Sequence, residues 1–122
     1  MANYVDGFVL PVPRAKVEAY RKMAEDAGKV WIEHGALEFR ECVADDVKAG
    51  EVTSFPQAVK LEADEVVVFS WIVFRSREER DRVNEKVMAD PRIREGMKDI
   101  LPPFDAQRMI YGGFTTLVSL DA

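Results

Sequence analysis

The segment Val66 to Phe74, Val-Val-Val-Phe-Ser-Trp-Ile-Val-Phe, limits what this chain can fold into more than any other. It is rich in β-branched and aromatic residues, which pack well on a pleated surface, and it is apolar at both odd and even positions. A strand reads that way when both of its faces are covered, so the segment belongs at the centre of a sheet. With nine residues and Ser70 among them, it is far short of the ~20 needed to cross a bilayer.

The rest of the chain supplies the elements around that strand. Tyr4 to Val12 alternate in a β manner and stop at Pro11-Val12-Pro13, where proline removes ladder donors. From Arg14 the period changes: Val17, Tyr20, Ala24, Ala27, Trp31 and His34 follow at spacings of three and four and form one helical stripe, which Gly35 ends. Leu37 to Ala44 alternates again, with Leu37, Phe39, Glu41 and Val43 on one face and Glu38, Arg40, Cys42 and Ala44 on the other, as expected of an edge strand. The connection from about Asp45 to Ala63 is too long for a tight hairpin and is expected to form an extended arm.

After the central strand, Ser76-Arg77-Glu78-Glu79 is a capping box that opens a helix with Val83 and Val87 inward. Asp90-Pro91 caps a second helical piece carrying Ile93 and Met97. Pro102-Pro103 separates that piece from a last strand within Met109 to Leu120, where Gly112-Gly113 signals a bulge or a close backbone approach. The order is βαββαβ. We therefore expect one α+β domain over residues 1–122 with a ferredoxin-like, four-stranded antiparallel sheet of order 4-1-3-2 and helices on one face. Strands one and three are expected to be central and parallel to one another.

Composition narrows the functional classes. The 17 basic and 22 acidic residues leave a net charge of −5, which disfavours a polyanion partner. Arg75, Arg77, Arg80, Arg82, Lys86, Arg92 and Arg94 form the one basic concentration, but Glu78, Glu79, Asp81, Glu85, Asp90 and Glu95 interleave with them as on a solvated helix face. No nucleic-acid partner is expected. The lone Cys42 excludes an intrachain disulfide and any paired-cysteine zinc or redox site. The first residues show neither a basic region nor an apolar stretch of a secretory signal, which gives a cytoplasmic expectation with no membrane partner. The glycine-rich nucleotide loops, the Gly-x-Ser-x-Gly elbow and the His-Glu-x-x-His zinc motif are all absent, and no cofactor is expected.

A four-stranded sheet with helices on one side leaves its other face open, and strands one and three are apolar on both sides. Soluble monomers seldom expose a contiguous apolar patch beyond a few hundred Å². A second copy packed sheet to sheet is the economical cover, so a homodimer is expected, with a pocket between the facing layers.

The runs Tyr4-Val5-Asp6-Gly7-Phe8, Trp31 to Leu37, Phe69 to Phe74 and Arg108 to Phe114 together resemble the YbaA-like family of uncharacterised bacterial proteins. The resemblance extends through Asp45-Asp46, Thr53-Ser54-Phe55-Pro56 and Asp90-Pro91-Arg92. It implies a dimeric α/β barrel, similar in architecture to cofactor-free quinone-forming and heme-degrading monooxygenases. Those enzymes place a polar residue on strand one, a Trp on strand three and, in the heme enzymes, an iron-binding His on the second helix. Asp6 and Trp71 match the first two positions. The helix Arg77 to Ala89 has no His, which speaks against heme binding.

Five residues are candidates for a site. Asp6 shares a strand face with Tyr4, Phe8 and Leu10, where burial raises a carboxyl pKa as a general base requires. Its structural alternative is a buried bond to an arginine such as Arg108, itself a candidate ligand contact. His34 either reaches a pocket or caps the helix whose inward stripe it ends. Trp71 and Tyr111 are either core or the polar-tipped walls of a ligand site. Glu38, Glu41, Asp45 and Asp46 resemble a metal cluster, but Glu38 and Glu41 are three apart and point to opposite sheet faces, so no metal site is expected. Two readings follow. One is a small-molecule binder or cofactor-independent enzyme that takes an aromatic or lipophilic compound into the barrel, with Asp6 as base or polar anchor. The other is a noncatalytic dimeric module with a filled interior.

Overall fold

The computed structural model describes residues 3–96 and 105–122. Its elements are β1 (Tyr4–Pro13), α1 (Val17–His34), β2 (Glu38–Val43), α2 (Phe55–Ala58), β3 (Glu65–Phe74), α3 (Arg77–Ala89), α4 (Pro91–Gly96) and β4 (Ile110–Thr115). The sheet order β2-β3-β1-β4 is the expected 4-1-3-2 read from the other edge. β3, the two-faced apolar segment, lies inside the sheet between β2 and β1.

The expectation of a parallel central pair is corrected. β1 and β3 are antiparallel, with Tyr4 opposite Phe74 and Pro13 opposite Glu65. The reason is the path of the chain: α1 carries it back so that β2 runs in the direction of β1, and β3 then turns back along β2. A strand that opposes β2 must oppose β1 as well.

Strand parity sorts the side chains into two faces. Even-numbered residues of β1 and β3 point to the helices, where Leu10, Val12 and Val68 pack with Tyr20 and Ala24 of α1. Farther along the sheet, Ile72 and Phe74 pack with Val30, Ala36, Val83, Val87 and Ile93. Gly35 ends α1 at φ 122°, a conformation that favours glycine. The stripe read from sequence is shifted by one position, because Gly28 and Val30 are buried rather than Ala27. Gly28 has no room for a side chain, since a Cβ there would meet the Phe39 ring at 2.7 Å. The close approach read from Gly112-Gly113 occurs at Gly113, where the Tyr4 ring occupies the space a Cβ would take.

Ser76 caps α3, its hydroxyl accepting from the Glu79 amide at 3.1 Å. The Glu79 carboxylate bonds Arg82, so the box is half of the expected reciprocal pair. The connection between β2 and β3 contains α2, capped by Ser54, and folds onto its own sheet. Phe55 packs against Phe69 of β3 at 5.8 Å between ring centroids, on the side away from α1 and α3. Met97 and the Pro102-Pro103 break lie outside the described residues. No helix among the described residues is long and apolar enough to cross a membrane.

Candidate functional site

Asp6 is placed on the helix-facing side of β1, one strand in from the β4 edge and opposite Gly113. It is 5% exposed. An isolated carboxylate there would be unstable, and two side chains of α3 meet it. Arg80 donates through Nη1 to Oδ1 at 2.8 Å, and Asn84 donates through Nδ2 to Oδ2 at 3.4 Å. Asn84 in turn accepts from Trp31 Nε1 of α1 at 3.0 Å, and the Arg80 guanidinium lies 5.0 Å over the Tyr4 ring. β1, α1 and α3 are thus tied by one polar network. Burial holds the Asp6 carboxyl above its ordinary value, against the opposing pull of Arg80 and Asn84.

The sequence pointed to Arg108 as the structural partner of Asp6. Arg108 instead stands before β4 and pairs with Glu65, the first residue of β3, through two bonds of 2.7 Å. It also bonds Asp105 and the Lys60 carbonyl, so it fastens the end of the β2–β3 connection to the sheet. These bonds hold the Glu65 carboxyl below its ordinary value although the residue is buried.

The other candidates lie apart from Asp6 and from one another. His34 Nε2 is 2.8 Å from Asp90 Oδ2, joining the end of α1 to the start of α4. Asp90 also holds Arg92, which first and most strongly keeps its carboxyl below the ordinary range. Trp71 lies on the open face and donates to Glu38 at 3.1 Å, beside Phe69. Tyr111 is on the helix-facing side, 72% exposed, stacked on Phe8 at 6.2 Å. Of the five, Asp6 and Tyr111 share a region of one face, while Trp71, His34 and Arg108 occupy three other places.

Reading the sequence missed a second polar pair, this one only partly buried. The hydroxyl of Tyr20, 7% exposed on α1, donates to Glu41 of β2 at 2.7 Å. Burial raises the Glu41 carboxyl, opposed by the bonds from Tyr20 and Ser70, and burial, reinforced by the Glu41 contact, pushes the Tyr20 hydroxyl well above its ordinary range. Glu41 lines a groove of about 590 Å³ between α1 and β2. None of the five candidates lines this groove. Glu38 points to the opposite face, as parity required, and no set of three His, Cys, Asp or Glu side chains among the described residues is placed to hold a metal ion.

The family model for a protein of unknown function, DUF1428, matches residues 3–106. The chain belongs to the DUF1428 family. The uncharacterised protein YbaA of Escherichia coli K12 is 52% identical over 116 residues, 95% of this chain and 97% of YbaA. Beyond the family, the fold is similar to that of a NIPSNAP-family protein of unknown function from Agrobacterium tumefaciens, at 15% identity and a TM-score of 0.57, covering 93% of this chain and 87% of that one. A dimeric ferredoxin-like protein from an uncultured marine organism aligns over 100% of both chains at 9% identity and a TM-score of 0.57. At such identities these two likenesses concern the fold alone. They agree with the ferredoxin-like architecture of this chain and leave the chemistry to its side chains.

Proposed function

We propose that this chain works as a homodimer closed through the open face of its sheet, as a noncatalytic module. The observation that carries the proposal is the apolar character of that face. Phe69, Ile110 and Phe114 are 43%, 46% and 62% exposed, and Trp71 and Phe55 adjoin them. Covering a phenylalanine side chain contributes about 2 kcal/mol, so several such residues meeting their twofold copies supply a strong drive to associate. A dimeric ferredoxin-like neighbour adds support by analogy of fold. On this side of the sheet Gly7 and Gly112 leave room for a ring, and the chain's own Phe114 lies over both, which favours a filled interior. Sedimentation equilibrium at micromolar concentration tests the proposal. A mass of twice 13.8 kDa supports it, and a mass of 13.8 kDa overturns it.

A second reading is a binder or cofactor-independent enzyme for a small aromatic or lipophilic compound, with Asp6 as its base or polar anchor. It is favoured by one arrangement: the Asp6 carboxyl, raised by burial, lies near Tyr111, whose ring is exposed and free to take a second aromatic ring. A thermal-shift screen of aromatic compounds on the wild type and on Asp6→Asn tests it. Stabilisation lost in the variant supports the reading, and equal stabilisation or none removes it.

A further inference from the structure

We propose that the groove between α1 and the edge strand β2 binds a small organic cation, with a protonated amine on Glu41 and an apolar body along Ala24, Gly28, Ile32 and Phe39. The groove lies on the helix side of the sheet, so the inference is independent of the open-face dimer.

Three observations converge on it. The first is size and lining: about 590 Å³, within the range of small-molecule sites, with walls made largely by carbon atoms of α1 and β2. The space exists because, between Tyr20 and Trp31, which both reach β2, α1 presents the small residues Ala24 and Gly28, with the Phe39 ring against Gly28. The second is charge. The other carboxylates at the groove have cations of their own: Glu25 bonds Arg21 and Lys29, and Glu33 bonds Arg92. Glu41 has the Tyr20 hydroxyl and Ser70, and among the described residues no cation lies within ion-pair distance of it.

The third is placement. Glu41 is half-desolvated by its neighbours yet open to the groove, so an ammonium reaching it meets a carboxylate whose charge is poorly compensated. An ammonium there gains a charge-assisted hydrogen bond, and the Tyr20 hydroxyl fixes the carboxylate that receives it. An anionic occupant would face the opposite balance. The chain's own apolar tail, Leu117 to Leu120, is followed by Asp121 and has the wrong sign for this groove.

The test is a ¹H–¹⁵N NMR titration of the whole protein with three matched probes: phenethylamine, phenethyl alcohol and phenylacetate. The amine is expected to shift amides of residues 24–32 and 39–41 in a saturable way, and to bind about tenfold more tightly than the alcohol, with phenylacetate weakest. Glu41→Gln should reduce amine affinity to that of the alcohol and leave the alcohol unchanged. Tyr20→Phe keeps the carboxylate and should keep the preference for the amine. If Glu41→Gln fails to fold, the order of the three probes on the wild type decides alone. Equal binding of the three probes, tighter binding of phenylacetate, shifts confined to other residues, or amine affinity unchanged in Glu41→Gln would each overturn the proposal.

Discussion

On the helix side of this sheet Leu10, Val12, Val68, Ile72 and Phe74 are buried beneath α1, α3 and α4, whereas on the other side Phe69 and Phe114 remain largely exposed. Each face also holds one buried strand carboxylate paired to an arginine, and the two pairs behave oppositely. Asp6 receives one bond from Arg80, which also serves Asp81, and burial keeps its carboxyl raised. Glu65 receives two bonds from Arg108 and one from the Glu62 amide, and its carboxyl is lowered. Burial alone therefore does not set the sign. Desolvation is the larger influence at Asp6 and the Arg108 bonds are the larger at Glu65, so depth of burial and donors together decide whether an ionised carboxylate is held or merely tolerated.

If the exposed face joins two copies, charge placed on it acts on assembly. The double variant Phe69→Lys and Phe114→Lys should leave a folded chain sedimenting as a monomer, because lysines would face their twofold mates across a desolvated contact. A dimer that survives both substitutions would put the interface elsewhere.

Charge removed from the covered face should act on stability and leave assembly alone. Arg80→Met strands the Asp6 carboxylate and should cost about 3 kcal/mol in denaturant unfolding. Adding Asp6→Asn to Arg80→Met should recover most of that loss. A single variant as stable as the wild type would show that water reaches Asp6 and that the pair is not a structural tie.

The smallest effect is on pH dependence, and its sign separates the two carboxylates. The Glu65 carboxyl, lowered in the folded state, contributes stability that is full above its ordinary value near ~4.3 and is lost as pH falls through its folded value. Asp6, raised in the folded state, carries a penalty that is full above its folded value and disappears as pH falls below its ordinary value. Glu65→Gln should therefore flatten the acid loss of stability, and Asp6→Asn should steepen it. Unfolding free energies measured from neutral pH down to about pH 3 check both slopes.

The sheet was legible because its signals are local: alternation in β1 and β2, two-faced apolarity in β3, and a switch to helical spacing after Arg14. The direction of the central pair was misread, since it follows from the whole path of the chain and from no single segment. Parity grouped Asp6 with Tyr4, Phe8 and Leu10 but did not say which side of the sheet that face meets; it meets the helices and not the open face, and the partner of Asp6 lies 74 residues away on a helix read as solvated. Arg80 stands three residues before Val83 and seven before Val87, a spacing that puts it on the inward side of α3, whereas Arg77 and Arg82 face outward; which strand it meets follows only from the fold. His34 faced the same limit, its partner being 56 residues away. The α1–β2 groove escaped notice for a related reason: Ala24 belonged to a core stripe, and Glu41 stands out only once the neighbouring carboxylates are seen to have cations.

Isotope-filtered NOE spectroscopy on a mixture of labelled and unlabelled protein observes the meeting of two chains at the open face without altering a residue. The expected result is intermolecular NOEs to the rings of Phe69, Trp71 and Phe114 and to the Ile110 methyls. Intermolecular NOEs confined to α1, α3 or the β2 edge, or none in a sample that tumbles as a monomer, would contradict it.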